Sequence, residues 1–149
     1  MFNHKSKLRG DVSIVLKDQY GNIKDTRQIK NLIVDAGLEF ACSRMAGTSA
    51  SVMSHMGVGS GTTAPAAGQT DLVSLLGSRK SLDSTTASNN TITYVCTFGP
   101  GEGTGAITES AIFNAATGGT MLARVKFAVI NKDAASSLVM THSVSLSAG

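Results

Sequence analysis

His55-Met56-Gly57-Val58-Gly59-Ser60-Gly61-Thr62-Thr63-Ala64-Pro65 sets three glycines at alternate positions after a short apolar run. Read as a phosphate loop, the stretch would belong to an α/β protein; read as a corner, to an all-β one. A P-loop needs Gly-x-x-x-x-Gly-Lys-Ser/Thr, because the lysine meets the phosphates and the hydroxyl meets magnesium. No lysine follows Gly61. A dinucleotide fingerprint needs Gly-x-Gly-x-x-Gly opening a long helix after a strand. Here the spacing is Gly-x-Gly-x-Gly, and Ala66-Ala67-Gly68-Gln69-Thr70-Asp71-Leu72 continues as a loop of small residues. Alternate glycines at a strand end instead let two backbones approach closely or form a bulge. The stretch reads as a corner.

Downstream of it the pattern is that of strands. Ile92, Tyr94, Cys96 and Phe98 alternate with Thr91, Thr93, Val95 and Thr97, the period of a half-buried strand. Leu138, Met140, His142, Val144 and Leu146 do the same across residues 137–147. Met121, Ala123, Val125, Phe127 and Val129 share one face of 120–130, with Arg124 and Lys126 on the other. Ile107, Ala111 and Phe113 share a face of 107–114, and parity puts Glu109 with them. Gly99 to Gly105 breaks the chain, residues 83–90 form a polar loop or hairpin turn, and Asp71 to Leu76 is a candidate short helical turn.

Upstream, Val12, Ile14 and Leu16 begin a hairpin that turns at Asp18–Asn22 and returns over residues 23–30. Asp35 is placed to N-cap a helix over 36–46, whose apolar face is Leu38, Ala41, Cys42 and Met45. Many strands, glycine-rich turns and one short helix predict an all-β protein, an antiparallel β-sandwich of jelly-roll-like type. Residues 1–9 read as a basic N-terminal arm and 10–149 as a single sandwich domain.

Charged residues are 15% of the 149-residue chain, against roughly 25% in a typical soluble domain. Neighbouring subunits covering part of the surface would account for this. Of the net charge of +3, much lies early, at Lys5, Lys7, Arg9, Lys17, Lys24, Arg27 and Lys30. These charges are not interleaved with aromatics and there is no Trp, so nucleic acid is not the expected partner. Neither a signal peptide nor a membrane-length apolar run appears, so synthesis in the cytoplasm without membrane contact is expected.

Catalytic groups are sparse. His4, His55 and His142 have no carboxylate or second histidine at a ligand spacing. His142 reads as a hydrogen-bonded core or interface histidine. Cys42 and Cys96 sit in apolar settings and read as small buried hydrophobes; Cys96, between Val95 and Thr97, has no basic neighbour to stabilise a thiolate. Glu109 on an apolar face implies a buried ion pair, with Arg124 or Arg79. No enzyme activity, metal or cofactor is expected.

One resemblance rests on the order of phrases: Asn31-Leu32-Ile33-Val34-Asp35-Ala36-Gly37, then Met56 to Pro65, Gln69-Thr70-Asp71-Leu72 and Arg79. Ile107 to Asn114, Leu122-Ala123-Arg124-Val125-Lys126-Phe127 and a Lys132 turn follow. Over most of residues 31–147 this resembles small virion structural proteins of tailed bacteriophages, in particular capsid decoration or cement proteins. The resemblance implies a β-sandwich on the outer capsid surface, made in the host cytoplasm, dimeric or trimeric, that fastens neighbouring subunits of the major capsid protein. Lys5, Lys7 and Arg9 would make the electrostatic contact with the shell. A tail, baseplate or fibre component is the alternative, and a carbohydrate-binding module a more distant one, disfavoured by the absence of Trp.

Overall fold

In the computed structural model, which describes residues 7–48 and 50–148, the alternating segments become the strands of one curled sheet. In chain order these are β1 (Lys7–Lys17), β2 (Ile23–Ile33), α1 (Asp35–Met45), β3 (His55–Gly59) and β4 (Lys80–Ser81). Then come β5 (Ser84–Ser88), β6 (Thr91–Phe98), β7 (Gly105–Phe113), β8 (Met121–Lys132) and β9 (Ser137–Ser147). Every pairing is antiparallel, in the order β4-β3-β7-β8-β2-β1-β9-β6-β5. The fold is all-β, with one short helix.

β2 makes the bend. Its residues from Ile23 to Asn31 pair with β1, whereas Leu32 and Ile33 pair with Arg124 and Ala123 of β8. One half of the sheet is therefore β2-β1-β9-β6-β5 and the other β4-β3-β7-β8, facing each other as in a sandwich or half-barrel. On the far side only Leu82 and Asp83 separate β4 from β5, so the two ends of the strand order are consecutive in the chain. The Leu82 N–H donates to Ser54 O at 2.9 Å and the Asp83 N–H to Val95 O at 2.7 Å, which stitches this seam.

The core fills the space between the halves. Val12, Ile14, Leu138, Met140, Cys96 and Phe98 come from one half, and Met56, Val58, Ile107, Ile112, Val125 and Ile130 from the other. A smaller cluster of Val34, Leu72, Ala111, Phe113 and Met121 lies on the opposite face of β7 and β8. That face is covered, which is why β7 is buried without alternation from Ile107 to Phe113.

Several expectations change. β1 begins at Lys7, so residues 7–9 belong to the sheet; of the expected arm, 1–6 lie outside the described residues. The N-cap of α1 is Val34, and Asp35 is the first helical residue, its N–H donating to Ala67 O at 2.8 Å. The helix docks through Gly37, where a Cβ would collide with the Leu122 carbonyl, and through the partly buried Phe40. This turns Leu38, Cys42 and Met45 outward. Asp71–Leu76 is not a helix, and within residues 83–90 the polar segment 84–88 is a strand. In β7 the register shifts between Ile107 and Glu109, which reverses the faces beyond it. Ile107 and Ile112 point into the main core, while Ala111 and Phe113 join the smaller cluster with Glu109 on their side.

Candidate functional site

The alternate glycines do allow close approach, as their spacing implies. Gly57 and Gly59 lie on β3 and Gly61 just beyond it, and the segment Leu72–Leu76 runs across them. A Cβ on Gly57 would lie 2.8 Å from a Leu72 methyl, and one on Gly61 2.5 Å from the Val73 Cβ. Backbone bonds from Ser60 N to Ser74 O (2.8 Å) and from Leu76 N to Val58 O (2.9 Å) fasten the two segments.

Between them sits an anion, the protein's own. The Glu109 carboxylate is fully buried and receives four N–H groups. Oε2 accepts from Gly61 N (2.6 Å) and Ser74 N (2.8 Å); Oε1 accepts from Val73 N (2.8 Å) and Arg124 Nε (3.1 Å). Burial alone would raise this carboxyl's pKa, but the backbone donors and Arg124 outweigh it and hold it below the ordinary value. Arg124 also donates to Gln69 Oε1 at 3.2 Å, and Gln69 in turn ties Ala64 and Ala66. Of the two partners anticipated for Glu109, Arg124 is the one. Arg79 instead lies over the Phe113 ring, 3.3 Å from its centroid, and donates to the carbonyls of Ala115 and Gly118.

His142 is a core residue, as its place on the apolar face of the last strand implied. It bridges the two halves: Ser110 Oγ lies 3.1 Å from Nε2, and Asn31 Nδ2 lies 3.1 Å from Nδ1. With the Asn31 amide donating to Nδ1, the ring proton is on Nε2 and is donated to Ser110. Burial pushes the pKa of His142 down to about 3, so the ring is neutral. The order Ser-His-Asn resembles a nucleophile relay, but Nε2 already carries the proton it would have to take from the serine, and Ser110 and His142 have no exposed surface for a substrate to reach. Burial raises the thiol of Cys96 to about 12, with Asp83 adding to the shift, whereas Cys42 is exposed, against expectation. The Gly99–Gly105 loop is pinned by Lys132, which donates to Gly99 O (2.8 Å), and by Glu102, which accepts from Lys80 and Gly99 N.

Among the residues expected to contact a partner, Lys7 and Arg9 are exposed on one face of β1, opposite Ser147 and Ser145 of β9. Lys5 lies outside the described residues. Lys7 and Arg9 line a groove of about 480 Å³ with Lys30, Leu32, Ile33 and Leu38, which runs from the end of the β1–β2 hairpin to α1. Leu38 is 43% exposed and Met45 79%. With Cys42 between them they stand at i, i+4 and i+7, one stripe along the helix. The sequence marked this stripe as apolar but placed it inward. What turns it outward is the contact of Gly37 with β8, which the helical period does not encode.

Among the described residues there is no group of three or more His, Cys, Asp or Glu side chains that could hold a metal ion, and no helix long and apolar enough to cross a membrane. No protein-family model matches the chain, and no curated protein or solved structure matches it.

Proposed function

We propose that the chain is a non-enzymatic virion protein that decorates the outer surface of a bacteriophage capsid and clamps neighbouring subunits of the major capsid protein. The observation that carries this reading is the groove where Lys7, Arg9, Asp11 and Lys30 stand beside the exposed Leu32 and Leu38, from which the exposed Cys42 and Met45 continue the apolar stripe along α1. Contiguous apolar surface with a polar rim is the anatomy of a protein-docking site. The low charge of the chain and its resemblance to decoration proteins support the same reading.

The polar residues that would attract a catalytic interpretation have structural work. Glu109 and Arg124 hold the glycine corner, His142 links the halves of the sandwich, and Lys132 pins a loop. Clamping needs no chemistry at the site. Modest contacts per copy, repeated by capsid symmetry, raise particle stability through avidity.

The test is co-sedimentation with purified mature capsids, followed by heat or osmotic challenge of the decorated particles. Binding at defined symmetry positions and a higher bursting temperature are expected, with both lost for Leu38→Asp and for the Lys7→Glu/Arg9→Glu pair. Equal bursting with and without the protein overturns the clamp. Location on the tail in imaged particles transfers the module to a tail or baseplate role.

A further inference from the structure

The free backbone edges of this sheet are not equally protected. Along β8, the carbonyls of Ala128 and Val129 are capped by the Arg27 guanidinium, at 2.7 and 3.4 Å. β2 beside it carries Lys24, Asp25, Arg27 and Lys30, charges that discourage a foreign strand. β4 is only two residues long and begins with a lysine. β5 has none of these defences.

β5 reads Ser84-Thr85-Thr86-Ala87-Ser88, without a charge or a proline. It pairs with β6 in an unbroken register from Ser84↔Val95 to Ser88↔Thr91, and with no other strand. All five residues are exposed, so among the described residues no loop or helix covers either face. Alternate N–H and C=O groups of such a strand point away from β6 and have no partner among the described residues. What fits them is an extended backbone.

We propose that this edge pairs with β5 of a second copy, antiparallel across a two-fold axis near Thr86. The strand is complementary to itself: reversed, it offers the same alternation of donors and acceptors. With no charge in the segment, the self-pairing incurs no like-charge repulsion. The pairing would continue β2-β1-β9-β6-β5 into the same five strands of the partner, giving one ten-stranded sheet across the dimer. A five-residue edge is small beside the ~1,200 Å² of a stable interface, so this contact is weak alone and fills as local concentration rises. It does not depend on what the protein decorates, because it is measured on the purified chain.

Oxidative cross-linking captures a weak symmetric contact. Near the axis, residues on the two copies face each other at Cα separations of about 4.5–5.5 Å, inside the roughly 4.4–6.8 Å span of a disulfide. In a Cys42→Ser background, which removes the exposed thiol, Thr85→Cys, Thr86→Cys and Ala87→Cys are oxidised and compared with Thr117→Cys, an exposed residue of the connection between β7 and β8. At least one β5 variant is expected to form covalent dimer several-fold faster than the control, and Ala87→Lys placed beside Thr86→Cys should bring the rate back to that of the control. Equal rates at all four positions, or no effect of the added lysine, overturn the proposal. Failure on capsids with dimers intact would instead count against decoration alone.

Discussion

Glu109 and Arg124 face each other at 3.1 Å with neither side chain exposed, and every lone-pair direction used by the carboxylate is taken by an N–H. Each oxygen accepts two donors, so an amide in its place must turn its NH2 group against two of them. Glu109→Gln should therefore destabilise the fold nearly as much as breaking a buried pair does, about 3–5 kcal/mol. Arg124→Ala should fall in the same range. Chemical denaturation followed by circular dichroism measures both, and a loss under about 1 kcal/mol for either shows that the corner stands without the pair.

The acid response should show two overlapping contributions. The His142 pKa is depressed to about 3 in the fold from 6.5. The unfolded chain thus binds the extra proton first, and stability is full above about 6.5 and falls as pH drops toward 3, by at most about 1.4 kcal/mol per pH unit. Glu109 is also depressed, so its contribution is present above the ordinary carboxylate range and is lost as pH falls through its lower folded value. Melting temperature against pH should decline between 6 and 4 in the native chain and decline less in a folded His142→Gln variant. Parallel curves for the two proteins refute the assignment.

Glycine substitutions should divide by neighbourhood. At Gly59 a Cβ would meet the Ser74 carbonyl and sit 2.7 Å from Glu109 Oε2, so Gly59→Ala forces backbone apart in a packed site and should cost at least about 1–3 kcal/mol. At Gly68 nothing lies within 4 Å, and Gly68→Ala should change stability by less than about 0.5 kcal/mol. Similar melting temperatures for the two variants would mean that the corner can relax.

Thiol chemistry separates the two cysteines. A water-soluble maleimide should label Cys42 on the native protein within the mixing time and leave Cys96 untouched, because Cys96 is buried and its thiol is pushed up to about 12. Mass spectrometry after denaturation should show the second label appear. Under the proposed clamp, bound capsid should slow the first label, since Cys42 lies on the apolar stripe of α1; rapid labelling of Cys96 would refute its burial.

Strands with one wet and one dry face were legible from the sequence. β6 and β9 match their expected spans because half-burial writes period-2 alternation directly into the residues. β5 was missed because it buries neither face, so Ser84 to Ser88 carry no alternation to read. The face of β7 was misassigned beyond Ile107 because one register irregularity reverses parity, and such a shift has no residue signature of its own. Glu109 was legible as a buried ion because a carboxylate amid apolar strand residues needs a partner. Its cradle was not, since three of its four donors are backbone N–H groups, identical in every residue but proline.

The position of β9 sets when the molecule can form. It lies between β1 and β6 and pairs with both along most of its length, from Lys7↔Ser147 to Leu16↔Leu138 on one side and from Thr91↔Ser145 to Phe98↔Leu138 on the other. Until that segment has left the ribosome, the hairpin β1–β2 and the hairpin β5–β6 have no strand to join them. Half of the sandwich therefore closes only once residues 137–147 are available, through contacts between distant parts of the chain.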